Sequence, residues 1–153
     1  MDRSSLTDAE VRQRIDSIGV EELGRRYARR NIAHLNAMYA GEDARFVEVA
    51  HDDDEWVDLA GFDGDQLSDE EYFRMILAAL HTARDHRGAV WCIADGPMDH
   101  LVGRDNTFAL RFHRARHNHI SVDVAFDAVH EDLDTCGLGH GWWANDYPDR
   151  HIR

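Results

Sequence analysis

Apolar residues recur at helical spacing early in the chain: Val11, Ile15 and Ile18, then, after Gly19, Leu23, Tyr27, Ile32, Leu35, Met38 and Tyr39. This period predicts a first helix opening at Thr7-Asp8-Ala9-Glu10, a capping box in which threonine and glutamate side chains satisfy orphan backbone donors. A longer helix is predicted from about Glu21 to Ala40, with Gly41 as its stop. Ser68-Asp69-Glu70-Glu71 caps a third helix, its carboxylates at the positive end of the helix dipole, and Tyr72, Phe73, Ile76, Leu77 and Leu80 carry it to about Arg84. Gly88 follows, and from there the pattern reads as period two. Ala89 to Ala94, Asp99 to Gly103, Thr107 to Arg114 and His119 to Val129 are expected to be successive antiparallel strands, turned at Gly96-Pro97 and Arg104-Asp105-Asn106. Glu55 to Ala60 also reads as a strand, with Trp56, Asp58 and Ala60 on one face and Val57 and Leu59 on the other. Ala44 to Ala50 alternates as a strand would, and Gly137 to Tyr147 offers a last one. Helices first and strands afterwards predict an α+β fold, a curved sheet around a helical layer.

The chain has 153 residues, the size of one domain with room for a real core, and residues 1–153 are read as a single domain. Its composition, 43% hydrophobic and 31% charged with two prolines, is that of a folded globular chain and not of a disordered one. No apolar run reaches the roughly 20 residues a membrane span requires. The first residues, Met1-Asp2-Arg3-Ser4-Ser5-Leu6, lack the apolar core of a secretory signal, so the expected compartment is the cytoplasm. Cys92 and Cys136 are expected to be reduced thiols.

Charge excludes more. The formal net charge is -13, which repels phosphate backbones and anionic lipid, so neither nucleic acid nor membrane is an expected partner. All the Lys-plus-Arg positions are arginine. Without a lysine amine there is no Schiff-base nucleophile, no pyridoxal phosphate anchor and no Walker P-loop. Gly-x-Ser-x-Gly and His-Glu-x-x-His are absent as well, which removes the hydrolases and zinc proteases that use them.

Residues 42 to 71 hold thirteen carboxylates against one arginine, Arg45, and most of them are expected to be solvated surface. Asp63-Gly64-Asp65 opens like a calcium loop, but the twelfth position is Arg74 where a bidentate glutamate is required. Asp58 stands apart because the strand pattern puts it beside Trp56, where burial would raise its pKa toward the range of a general base. The late strand offers two further acids, Asp123 and Asp127, on one face with His119 and Ser121. His113, His117 and His119 share a parity, yet the hairpin expected from Arg114 to Asn118 scatters them. His117-x-His119 with Asp123 is similar to the cupin ligand pattern but has aspartate for glutamate and lacks the glycines. No metal site and no cofactor are expected.

The run Leu35-Asn36-Ala37, Gly41-Glu42-Asp43, Phe46, His51-Asp52-Asp53-Asp54-Glu55-Trp56-Val57-Asp58 and Gly61 resembles the start of the NTF2-like superfamily, which includes steroid isomerases and SnoaL-like polyketide cyclases. The resemblance, taken over about Tyr27 to Tyr147, implies a cone-shaped α+β domain: N-terminal helices on a curved antiparallel sheet that encloses a pocket. It makes residues 44–50 a short helix in place of a strand. It implies a cofactor-independent isomerase, cyclase or dehydratase moving a proton on an apolar carbonyl or polyketide-like molecule, with Asp58 as base and Asp123 or Asp127 as second acid. Such enzymes pair the base with an enolate-stabilising acid and tyrosine. Here Asn31 falls at the tyrosine position, with Tyr27 one turn earlier. Tyr27, Trp56, His100, His119 and Trp142 become pocket-lining candidates, His100 through the dipeptide Asp99-His100 and Trp142 through an aromatic-rich last strand. A homodimer is also implied.

A different class of function is compatible with the same residues. A non-catalytic acidic binding protein, such as an immunity protein or antitoxin that blocks a basic partner, would use the carboxylate-rich surface to steer association. A ligand-binding accessory domain without turnover is the third possibility.

Overall fold

The computed structural model describes residues 6–40 and 54–136, with side chains to Ala128, and the described residues form helices and no strand. The α+β cone is therefore replaced by an all-α fold: an NTF2-like domain needs a sheet, and the segments that would build it are helical. In chain order the helices are α1 (Asp8–Ile18), α2 (Val20–Tyr39), α3 (Glu55–Asp63), α4 (Asp69–Ala83), α5 (Arg87–Ile93), α6 (Asp99–Arg104), α7 (Thr107–Ala115) and α8 (Ile120–Cys136). A π-helical turn, Ala94–Met98, joins α5 to α6. The stretches 44–50 and 137–147, and Trp142 with them, lie outside the described residues.

The N-terminal helices begin where their caps dictate. Glu10 N donates to Thr7 Oγ1 at 3.2 Å while Thr7 N donates to Glu10 Oε2 at 2.7 Å, and Ser68 with Glu71 repeats this box at the start of α4. Glu71 also accepts both guanidinium nitrogens of Arg12, at 2.8 and 2.7 Å, tying α1 to α4. The Arg12 guanidinium, helped by the Ser68 backbone, holds the Glu71 carboxyl down at about 2.

α4 is the centre of the molecule. Tyr72, Met75, Ile76, Ala79, Leu80 and Ala83 are all fully buried, and the largest helix interface is with α2. Close approach there requires Gly24: a Cβ on it would stand 2.2 Å from the Met75 carbonyl oxygen. One apolar core continues from this interface through Ile93, Leu101, Phe112 and Phe126.

The strand expectations fail for a common reason. In α8 the parity reading grouped Ile120, Val122, Val124 and Phe126, but Ile120 is 73% exposed while Ser121 and Ala125 are buried with Val122 and Phe126. The spacing 121/122, 125/126, 128 is helical, and the β-branched residues sit on a helix that tertiary packing stabilises. In α7 the buried set is Phe108, Ala109, Phe112, His113 and Ala115, again one helical face; His113 packs on Phe126, with ring centroids 4.7 Å apart. Gly96-Pro97 does not turn the chain. Proline lacks the N–H an α-helix would use, and the extra residue of the π turn accommodates it within one helical path.

Two glycine substitutions should move stability in opposite directions. Gly24→Ala is expected to cost at least about 2 kcal/mol, because its neighbour is backbone and cannot step aside. Gly103→Ala, in α6 with open space around it, should gain roughly 0.5–1 kcal/mol. Urea unfolding of both variants checks the pair. Glu71 gives a pH prediction: with its folded pKa near 2 and an ordinary value of 4.5, its contribution is present above about pH 4.5 and lost as pH falls toward 2. Glu71→Gln should be less stable than wild type at neutral pH, and the difference should shrink through that window when unfolding is followed from pH 6 to pH 2.

Candidate functional site

A polar stripe runs along one face of α2. Tyr27, Arg30, Asn31 and His34 are spaced i, i+3, i+4 and i+7, so they lie on one face of the helix, where the pattern would otherwise call for apolar residues. Opposite them α3 brings Asp58. Arg30 Nε donates to Asp58 Oδ1 at 2.8 Å and Nη2 to Oδ2 at 2.9 Å, a bidentate pair. Arg30 is 5% exposed and Asp58 is 35% exposed, so the cation is buried and the anion reaches the rim. His34 Nε2 stands 4.0 Å from Asp58 Oδ2, and Asn31 Nδ2 donates to the Tyr27 carbonyl at 2.9 Å.

Tyr27 lies beneath this pair. Its ring packs on Gly61 so tightly that a Cβ there would come within 2.4 Å of Cδ2. Burial pushes its phenol well above the ordinary range, against a smaller downward effect of the Asn31 amide. Cys92 of α5 is a half-buried free thiol, also pushed up by burial and by Asp95.

The C-terminal end of α3 is tied down as firmly as its middle. Phe62 O accepts from Tyr72 Oη at 2.5 Å and lies 2.8 Å from His100 Nδ1, which must carry the proton because a carbonyl only accepts. Gly64, at φ 62°, supplies the left-handed cap, and its carbonyl accepts from Arg104 Nη1 at 2.9 Å. Arg104 also donates to Leu67 O at 3.0 Å and pairs with Asp69 at 2.8 Å. The orphan carbonyls at the end of a nine-residue helix are thus met by two other elements, α4 and α6.

The sequence candidates fall into separate places. Asp58 and Tyr27 come together at the α2–α3 contact. Trp56 is half-buried against the core beneath Arg14, whose guanidinium carbon is 5.8 Å from the ring centroid. His100 holds the α3 carbonyl just described and stacks edge-on with Phe62, centroids 4.5 Å apart. Asp123 pairs with Arg116 at 3.1 Å on α8, and Asp127, one turn later, is exposed, as is His119 just before that helix. Asp58 is on a helix, so the shared strand face with Trp56 and Ala60 does not exist; Val57, Ala60 and Gly61 are the buried positions. Arg30 and His34 were not singled out in the sequence, although their i, i+4 spacing inside a predicted helix was a readable signal.

Among the described residues, no three His, Cys, Asp or Glu side chains converge as metal donors, and no helix is long and apolar enough to cross a membrane. No family model, curated protein or solved structure matches the chain.

Removing the anion from the α2–α3 pair leaves a guanidinium nine-tenths buried beside a neutral amide. Asp58→Asn is expected to cost about 2 kcal/mol, below the full figure for a buried pair because Asp58 reaches solvent. Glu55→Gln, exposed on the same helix, should stay within about 0.5 kcal/mol of wild type. Chemical denaturation of the two variants measures the contrast.

Proposed function

We propose that the protein is a non-catalytic acidic interaction domain that binds a cationic surface of a protein partner, in the manner of an immunity protein or antitoxin. The observation that carries this reading is how the charges are used. Arg12, Arg25, Arg26, Arg29, Arg30, Arg74, Arg104, Arg111 and Arg116 each contact a carboxylate of the same chain. Glu55, Asp63, Asp65, Asp85, Asp95 and Asp127 are exposed and have no cationic partner among the described residues. The internal pairs add little stability individually where they are exposed, but they occupy those nine guanidinium groups, leaving Arg14, Arg84 and Arg114 without a carboxylate among the described residues. Among the described residues, exposed carboxylates without a cation outnumber exposed guanidinium groups without an anion, in keeping with the formal net charge of -13 of the whole chain.

A field of this sign accelerates encounter with a basic surface and repels acidic competitors. Both oxygens of Asp58, the acid on which the small-molecule reading relied, accept from Arg30, so this carboxylate serves the fold as the tie between α2 and α3.

The test is binding of a fluorescently labelled serine–lysine peptide, followed by anisotropy across a salt series. Saturable binding at low ionic strength that weakens steeply as the Debye length shortens from about 30 Å toward 8 Å is expected. Failure to bind at low salt would refute the proposal.

A further inference from the structure

Resting on the reading just given, we infer that the outward face of α3 is the docking surface, and that its occupant is a cationic amphipathic segment of the partner protein. Four residues of this helix are exposed, Glu55, Leu59, Phe62 and Asp63, and the spacing i, i+4, i+7, i+8 puts them on one side. Leu59 is 71% exposed and Phe62 42%, so two large apolar side chains stand in water with carboxylates at both ends of the row. Asp65 extends the acidic end.

Three features argue that a basic, partly apolar partner covers this face. The first is charge complementarity: Glu55, Asp63 and Asp65 have no cation within the described chain, so a partner's Arg or Lys would meet unoccupied acceptors. The second is a conflict with helix electrostatics. The last turn of α3 contains Asp63 and no basic residue of its own; Arg104 meets the Gly64 carbonyl from α6, but no cation among the described residues meets the Asp63 carboxylate, which an incoming one would. The third is preorganisation. Phe62 is fixed by its edge contact with His100, and the helix beneath it by the Arg30–Asp58 pair and the bonds to Phe62 O and Gly64 O, so little order is lost when a partner binds. The other exposed apolar side chains lack this combination. Ile120 opens α8 directly after His119, with Asp123 one turn on, and Met38 and Tyr39 are neighbours at the end of α2, where Tyr39 is stacked on His86.

The geometry of recognition follows. Apolar side chains of the partner segment lie over Leu59 and Phe62, and basic ones flank them onto Glu55 at one end and Asp63 and Asp65 at the other.

The experiment compares two labelled peptides of equal length and charge, one leucine–lysine and amphipathic, the other serine–lysine, on the full chain at one ionic strength. The amphipathic peptide is expected to bind roughly tenfold tighter or more. Leu59→Gln should abolish that advantage while leaving the serine–lysine affinity and the melting temperature unchanged, and Ile120→Gln should preserve it. Equal affinity of the two peptides for wild type, or an advantage that survives Leu59→Gln, overturns the surface and leaves the acidic-domain reading standing. Binding of neither peptide overturns both. A marked fall in melting temperature for Leu59→Gln means the chain itself covers the face, and a wild-type dimer that the variant reduces to monomer gives the face to a second copy; either result overturns the assignment.

Discussion

The architecture depends on how closely α2 can approach α4. Gly24 has no side chain at the point where the Met75 carbonyl comes nearest, and any added carbon would push the helices apart. The residues that α2 carries beside this contact are positioned by it. The stripe of Tyr27, Arg30, Asn31 and His34 begins less than one turn beyond Gly24 and runs along the neighbouring side of the helix, so its reach toward α3 is set by how closely α2 lies against α4. Close packing in the apolar core therefore does more than exclude water. It sets the depth at which a guanidinium is buried, and a buried guanidinium requires an anion.

α3 supplies that anion, and the requirement runs in both directions. A nine-residue helix with modest amphipathicity would be marginal alone. Its stability comes from attachments: Asp58 to Arg30, Gly61 under the Tyr27 ring, Phe62 O to Tyr72 and His100, and Gly64 O to Arg104. Those bonds consume its inner face and its C-terminal carbonyls. The outer face makes no contribution to them, and this is where the sequence spends Leu59 and Phe62 in water. Local rules of helix design are broken on that face, which is the usual mark of a surface kept for another purpose.

The sequence was legible where a chemical signal and a period agreed. Thr7 with Glu10 and Ser68 with Glu71 marked the starts of α1 and α4, and the apolar spacing from Leu23 onward gave α2 nearly its full length. Agreement ended at Gly88. The next three helices are short: α5, α6 and α7 contain six to nine residues each, too few turns for a period of 3.6 to separate from a period of two. Val and Ile in α8 added a β bias that packing overrode, and Gly96-Pro97 imitated a turn. The same ambiguity misread Glu55 to Ala60, and with it the surroundings of Asp58. That Asp58 mattered was visible in the residues; its partner Arg30, twenty-eight positions earlier, was not, because no local pattern reports a contact across that separation.

The π-helical turn at Ala94–Met98 has a consequence for everything downstream of it. An α-helix advances about 100° per residue, so one additional residue within a turn rotates the remainder of the helix by about that angle about its axis. His100 and Arg104 owe their heading to this rotation, since both must look back at α3 to serve its carbonyls. The turn works as a phase shifter: losing a single position there would keep the helix and its composition while aiming both clamps elsewhere, and α3 would lose its moorings without any change in its own residues.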